Sequence, residues 1–448
     1  MKRTILRALS VILVLLLTLA ACTPASSTST AENTAPSSGN DALSVGAATS
    51  GETVKLKFWH SLTGHNGEGL QKMVDDFNAS QSAIQVEAVF QGNYYESAAK
   101  LQAALISGSQ PDLIMLEVAL VGQFASANVL VDFAQHLSAD EVANFQEGLL
   151  KDTYVNDTLA AIPFNRSTPV LYVNRDMLKQ AGLDPAGPKT WDELRSFSKT
   201  ITEKIPGTVG CEIPVDVWFF ESGMFQQDGS VLTDDLKSVN FVNEKGENTI
   251  RFWQEMIDEG SMKSPVGKDY NGWDAAMADF VGQKAAMITV STGYLKGLLD
   301  QTDGVFDMGT CFLPAYTDGK YATPTGGANI AILNKSSEEE INASVEFIRF
   351  LTNKENVGFF CEWTGYVPTT KEALEYPGLK ALYEKYPQYL TAVDHLQYAQ
   401  KRSIIKGYRE MAVIIQEEIR AALLDTQIPP KRALENAAEQ IQVILDDE

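Results

Sequence analysis

Histidine and cysteine are scarce in this chain, four of each in 448 residues, and basic side chains are outnumbered, 36 Lys and Arg against 58 Asp and Glu. Each shortage removes a class of function. The histidines, His60, His65, His136 and His395, are scattered. His60 and His65 flank the end of one strand pattern, but a pair five apart in a loop lacks the fixed geometry of two ligands one helical turn apart, so no metal site is expected. Of the cysteines, Cys211, Cys311 and Cys361 match neither a zinc spacing nor a CxxC redox pair. Three such residues allow one disulfide at most, and the expectation is three reduced, buried thiols. Nucleic acid and anionic membrane surfaces are bound by clustered Lys and Arg, so a formal net charge of -22 makes both poor partners. Also missing are the GxSxG elbow, HExxH, a Walker phosphate loop, GxGxxG and an EF-hand loop. Carboxylate pairs are so common in an acidic chain that they single out no glycosidase dyad. What remains is a binding protein that needs no cofactor, rather than an enzyme.

One long apolar run is present, at the start. Lys2, Arg3 and Arg7 precede ALSVILVLLLTLAAC, an apolar stretch of about 14 residues, short of the roughly 20 that span a bilayer. A charged region, an apolar region and small residues before a cleavage point describe a secretory signal peptide, residues 1–21. LAAC resembles a bacterial lipobox, in which the cysteine, here Cys22, becomes the lipid-bearing first residue. Residues 22–52 are rich in Ser, Thr, Ala, Gly and Pro and carry too little apolar surface to offset the cost of ordering them, as in a flexible tether. The expected location is therefore outside the cytoplasm, with the N-terminal lipid as the sole membrane contact. Without the three signal-peptide cations, 33 basic residues face 58 acidic ones, a net charge of -25.

The next nearly 400 residues, by roughly 150 residues per domain, suggest two lobes. VKLKFWH alternates Val54, Leu56 and Phe58 inward, a strand pattern. Leu70, Met73, Val74 and Phe77 mark one face of a helix that closes at FNAS. Ile84, Val86 and Phe90 alternate again, a helix follows from about Glu96 to Ile106, and PDLIMLE reads as a fully apolar strand. This alternation predicts a parallel α/β sheet. In such sheets ligands sit beyond the carboxyl ends of the strands, where GNYYE and LEVA fall. TPVLYVNRDMLKQAGLD repeats the strand-then-helix pattern, and KAAMITVSTG is a strand ending in hydroxyl residues. Near the end, Ile415, Ile419, Ala422 and Leu423 form one amphipathic helix, and Leu434, Ala438, Ile441 and Leu445 another after Pro429 and Pro430.

The order of the segments FWHSLTG, FN, GNYYES, ISGSQPDLIMLE, IPFNRSTPVLYVNRDMLKQAGLDP, KTWDEL, GGANIAI, TGYVPTTKEAL and PPKRALENA resembles the bacterial extracellular solute-binding proteins that serve ABC importers. WHS, GNY, the NxSTPVLY stretch and KGYR are most similar to the sn-glycerol-3-phosphate-binding branch. The resemblance implies a periplasmic-binding-protein-like α/β fold of type II, like maltose-binding protein, with two discontinuous α/β lobes joined by a hinge. Lobe one is then residues 53–165 and 313–334, and lobe two 166–312 and 335–448. It also implies a monomer that traps a small molecule between its lobes and delivers it to the transmembrane subunits of an ABC permease.

Carried over motif by motif, the resemblance assigns ligand contacts to Tyr94, Glu117, Ser167, Trp218, Ser291, Gly326, Gly327, Tyr366 and Arg409, with Thr292 a close competitor of Ser291. The residue chemistry agrees with capture of glycerol 3-phosphate or a glycerophosphodiester. Arg409, at a helix start, offers a guanidinium fork to phosphate, and Tyr94 and the serines offer hydroxyls, with Tyr95 packed behind Tyr94. Glu117 accepts from ligand hydroxyls, the glycines let backbone amides approach, and Trp218 covers a carbon edge. Two positions depart from the branch: Val215 stands where a second tryptophan is usual, which widens the pocket, and Arg166 replaces a serine, either strengthening anion binding or pointing to solvent. The competing readings are a mono- or oligosaccharide receptor on the same fold, an exported hydrolase, and a sensory or adhesive lipoprotein.

Overall fold

The computed structural model describes residues 52–265, 271–317 and 319–446. The signal peptide, Cys22 and the tether up to residue 51 lie outside the described residues.

Strands β1 (Val54–His60), β2 (Ile84–Phe90) and β3 (Leu113–Glu117) alternate with helices α1 (Gly64–Ser80) and α2 (Tyr94–Ser107). β1 pairs in parallel with both other strands, from Val54↔Ile84 to His60↔Phe90 on one side. α1 buries Leu70, Met73, Val74 and Phe77, the face its periodicity predicts. Phe90 was expected to point inward. It is 50% exposed, because it ends an edge strand, with its ring 5.9 Å from that of His60. α2 starts two residues earlier than expected, since Asn93 caps it. The Asn93 side chain accepts from the N–H groups of Tyr95 and Glu96, and the Glu96 carboxylate accepts in return from the Asn93 N–H. Both tyrosines therefore sit in the first turn of a helix.

Five further strands of the two main sheets follow: β4 (Ile162–Ser167), β5 (Pro169–Asn174), β6 (Val209–Glu212), β7 (Met262–Lys263) and β8 (Ala285–Ser291). β9 (Met308–Cys311) and β10 (Gly326–Ile332) complete two five-stranded sheets, ordered β2-β1-β3-β10-β4 and β9-β5-β8-β6-β7. The first sheet is mixed, not parallel throughout. β10 enters it from the second sheet and runs antiparallel to β3 and β4. Thr168 alone separates β4 from β5, so the chain passes between sheets within one residue. There its N–H donates to the Thr292 hydroxyl and its carbonyl accepts from the Thr292 N–H.

Alternation explains how the first sheet is buried on both faces. Leu113 and Met115 of β3 join the core with Leu56, Phe58 and Ile330, while Ile114 and Leu116 join Ala331 and Leu333 on the opposite face. The second sheet packs with helix α3 (Val217–Phe225) and others into a separate core. Helix α4 (Glu338–Thr352) differs from the expected division of lobes, which placed it with the second. Its Phe347, Ile348 and Leu351 lie in the core of the first sheet, with the Phe347 ring 5.8 Å from Phe58. The cause is its apolar stripe, which covers the face of β1. Helices α5 (Tyr408–Leu424) and α6 (Pro430–Asp446) bury Ile415, Ile419, Ala422, Leu423, Leu434, Ile441 and Leu445 against the second core, with Ala438 partly buried. α6 begins at Pro430 itself, the first-turn position proline suits. The three cysteines among the described residues are free; Cys211 and Cys361 are buried and Cys311 half-buried.

Arg166 does neither of the things its sequence position suggested. Fully buried, it donates to the Gly326 carbonyl at 3.1 Å, the Leu149 carbonyl and Asn329 Oδ1 at 3.0 Å, Asp152 at 2.9 Å and the Thr325 hydroxyl at 2.6 Å. Its donors are taken up inside the protein, where it braces the start of β10.

Asp152→Ala strands that guanidinium, and urea unfolding should show a loss of about 3–5 kcal/mol, the usual cost of breaking a buried pair. Two histidines make stability depend on pH. Burial lowers His60 from 6.5 to about 4 and His395 from 6.5 to about 3. The unfolded chain thus takes up protons that the folded chain refuses. Their contribution is complete above pH 6.5 and drains away as the pH falls towards 4 and 3. The urea midpoint should drop between about pH 7.5 and 5, and drop less in His395→Leu.

Candidate functional site

A cavity of about 300 Å³ opens between the two sheets. Strand ends supply one wall: Ser61 to Thr63 follow β1, Asn93 to Tyr95 follow β2, Glu117 closes β3 and Ser167 closes β4. Gly326 and Gly327 open β10, and because that strand runs antiparallel, its start lies at the same edge. From the second sheet come Asp216 and Trp218 at the start of α3, Ser291 at the end of β8, then Gly293 and Tyr294, with Trp273 and Asp274 beside them. Asn66, Tyr366 and Arg402 complete the lining.

Eight of the nine residues singled out in the sequence lie in this lining: Tyr94, Glu117, Ser167, Trp218, Ser291, Gly326, Gly327 and Tyr366. Arg409 does not. It is the second residue of α5, and its guanidinium carbon stands 3.6 Å from the centre of the Tyr95 ring. Tyr95, expected to pack behind Tyr94, itself lines the cavity. The guanidinium in the lining belongs to Arg402, seven residues earlier, on the segment that leads into α5. Of the two hydroxyl candidates at residues 291 and 292, Ser291 lines the cavity, while the Thr292 hydroxyl accepts from the Thr168 N–H.

Nothing local marks Arg402, Trp273 or Tyr294 in the sequence, since each reaches the site by tertiary packing. Asp216 had a readable signal, a cap residue before an apolar helix: its carboxylate accepts from the Trp218 N–H at 2.9 Å. Val215, where a second tryptophan was missed, is buried outside the lining. Trp273 supplies that wall instead, stacked on Trp218 with ring centres 5.7 Å apart and planes 12° from parallel.

The glycine pair is fixed by crowding. A Cβ on Gly326 would fall 2.6 Å from Cζ2 of Trp218, whose indole N–H donates to the Thr325 carbonyl at 3.2 Å. Gly327 has φ +83°, and a Cβ there would sit 1.8 Å from the Asn165 carbonyl oxygen. Asn165 also donates to the Tyr94 hydroxyl at 2.7 Å. Burial above all pushes Tyr94 well above its ordinary pKa, so the phenol keeps its proton.

Arg402 sits in a buried fork. It donates to Glu117 Oε1 at 2.7 Å, to Glu221 Oε2 at 2.8 Å and to the Tyr408 hydroxyl, which donates to Glu221 Oε1 at 3.0 Å. Burial opposes its charge, but Glu221, Tyr408 and Glu117 outweigh burial and hold its pKa well above the usual value. Glu117 is engaged twice, for Oε2 accepts from the Ala119 N–H at 2.9 Å. Desolvation raises the Asp216 carboxyl. Three carboxylates, Glu117, Asp216 and Asp274, thus share the lining with one guanidinium.

Metal binding has no support among the described residues: no group of three or more His, Cys, Asp or Glu is placed to hold an ion. The His65 ring nitrogen Nε2 is taken by the Trp363 carbonyl at 2.8 Å, and the two rings stack. Gly326→Ala should drive its methyl into Trp218. The expected result is a changed near-ultraviolet circular dichroism from the indole pair, unchanged far-ultraviolet signal, and a stability loss of about 1–3 kcal/mol in denaturant titration.

Residues 72–391 match the family described as bacterial extracellular solute-binding protein. The chain is 27% identical over 426 residues to the sn-glycerol-3-phosphate-binding periplasmic protein UgpB of Escherichia coli K12, covering 89% of this chain and 95% of that one. UgpB of Mycobacterium tuberculosis, solved with glycerophosphocholine, superposes with a TM-score of 0.78 at 25% identity, over 88% and 99% of the two chains. The cyclic alpha-maltosyl-1,6-maltose binding protein of Arthrobacter globiformis shares the fold, with a TM-score of 0.75 at 24% identity over 89% and 100%. These relatives are named for the solutes they bind, and among the described residues no helix is long and apolar enough to cross a membrane. With its two-lobed, maltose-binding-protein-like fold, the chain belongs to the bacterial extracellular solute-binding proteins and is the substrate-binding protein of an ABC importer.

Proposed function

We propose that the captured solute is a glycerophosphodiester, a singly charged ester of glycerol, in preference to the dianion glycerol 3-phosphate. The observation that carries this reading is the charge of the lining. Its single guanidinium is already shared between Glu117 and Glu221, and two more carboxylates face the same space. A second negative charge on the ligand meets net repulsion there, whereas a diester with one charge leaves recognition to neutral donors. Those donors are the protonated Tyr94 and Tyr366 phenols, Ser167, Ser291 and the backbone at Gly326 and Gly327. The kinship with glycerol-phosphate binders, and the glycerophosphocholine in the Mycobacterium tuberculosis neighbour, support the same choice. Arg409 contributes through the Tyr95 ring it covers. In this reading the lobes turn about the passages at Thr168 and between β9 and β10, the protein acts as a monomer held by lipid on Cys22, and the closed form delivers its ester to the permease unhydrolysed.

A neutral oligosaccharide is the second reading, favoured by the stacked Trp218 and Trp273 indoles. Titration calorimetry with glycerophosphoglycerol, glycerol 3-phosphate and maltose separates the two. The diester is expected to bind about tenfold or more tightly than glycerol 3-phosphate, a difference of about 1.4 kcal/mol, and maltose to give no heat. Tighter binding of glycerol 3-phosphate removes the charge argument. Heat from the sugar alone establishes the second reading.

A further inference from the structure

The indole wall of the cavity is carried on two arms. One runs from Glu212, the last residue of β6, through Ile213 to Asp216 and then to Trp218 at the start of α3. The other is the helix Asn271–Val281, with Trp273 near its start and Asp279 near its end. The tips of the arms meet in the stack of Trp218 on Trp273. Their bases meet as well. Lys263 Nζ, on β7, stands 3.3 Å from Glu212 Oε1 and 3.3 Å from Asp279 Oδ2, and the two carboxyl groups lie within hydrogen-bonding reach of each other. Lys284, just ahead of β8, approaches Asp279 Oδ1 at 3.4 Å. The side chains that α5 and the helix Glu244–Asp258 turn towards the pair are apolar, Leu423, Leu424 and Ile257.

We propose that Glu212 and Asp279 are a positioning pair for the indole wall: one proton held between their carboxyl groups keeps the bases of the two arms together, and its loss lets them part. Neither residue belongs to the lining of the cavity, so the pair acts on the solute only through the indoles. Two carboxylates in contact repel when both are ionised, and one of them therefore keeps a proton. Glu212 is the one. It is fully buried, and its cationic neighbour Lys263 is largely exposed and shared with Asp279. Burial above all raises its carboxyl from 4.5 to about 7; Lys263 opposes the rise and Asp279 adds to it. Burial acts the same way on Asp279, but Lys263, Lys284 and the Glu212 proton outweigh it and hold that carboxyl below its usual value. A helix is stiff, and Trp273 and Asp279 lie about 9 Å apart along this one, so a shift at its base reaches the indole. Stability from this proton is complete below pH 4.5 and lost as the pH rises through about 7, opposite in sign to the contribution of His60 and His395 and offsetting part of it.

Near-ultraviolet circular dichroism of the ligand-free protein, which reports the stacked indoles, tests the pair between about pH 6 and 8.5. The natural protein is expected to show a transition centred near pH 7. Glu212→Gln, whose amide keeps a hydrogen bond to Asp279 and has no proton to lose, should hold the low-pH signal throughout, and Asp279→Asn should move the transition to lower pH. An invariant signal in the natural protein, or a transition unmoved in both variants, overturns the proposal. Titration calorimetry with glycerophosphocholine, whose own charges do not change in this range, carries the result to the site. Affinity should fall about fivefold across the transition, the low end of coupling between separate sites, and stay level in Glu212→Gln. Level affinity in the natural protein while the indole signal moves overturns the role in binding. Absence of heat from this probe overturns the ester reading alone, and the indole signal then decides the pair by itself.

Discussion

A single buried guanidinium organises this molecule's cleft. Arg402 reaches Glu117 at the end of β3 and Glu221 on α3, so one side chain ties the first sheet to the core of the second. Such a fork is costly to bury and gains its keep only when each charge is met. Here the guanidinium meets two carboxylates and the Tyr408 hydroxyl, and Glu117 meets the Ala119 N–H as well. The cation that looks available to an anionic ligand is therefore largely neutralised before any ligand arrives, and the polarity of the cavity follows from that.

A second buried arginine fixes the opposite edge. Arg166 holds the Gly326 carbonyl and the Thr325 hydroxyl, and the Thr325 carbonyl in turn receives the Trp218 indole N–H from the other sheet. Glycine is needed at residue 326 because the indole occupies the space of a side chain. One arginine thus ties the two halves together, while the other sets how closely an aromatic ring from one half lies on the backbone of the other.

Much of this was legible in the sequence, for local reasons. Alternation in VKLKFWH and the stripe Leu70, Met73, Val74, Phe77 report which faces are buried, and the strand ends then fall where a cleft must be. Family resemblance located eight of the lining residues because their motifs sit at such ends. Arg409 misled because two arginines stand seven apart around the start of α5, and only the path of residues 402–408 decides which one turns inward. Arg166 misled because a charge in an apolar strand has no local sign of its partners, Asp152 and Asn329, which arrive from distant segments. Trp273, Asp274 and Tyr294 were invisible for the same reason. The exceptions to parallel pairing, β10 in the first sheet and β5 in the second, depend on the chain passing from one sheet to the other, which periodicity does not record.

Thr168 is the whole of the link between β4 and β5, and both its backbone groups are pinned to Thr292. The following residue is Pro169, whose ring leaves its φ torsion no latitude. In the closure proposed above, this crossing therefore contributes through the few backbone torsions at Ser167 and Thr168. A crossing with so few degrees of freedom has the latitude of a door hinge and not of a ball and socket.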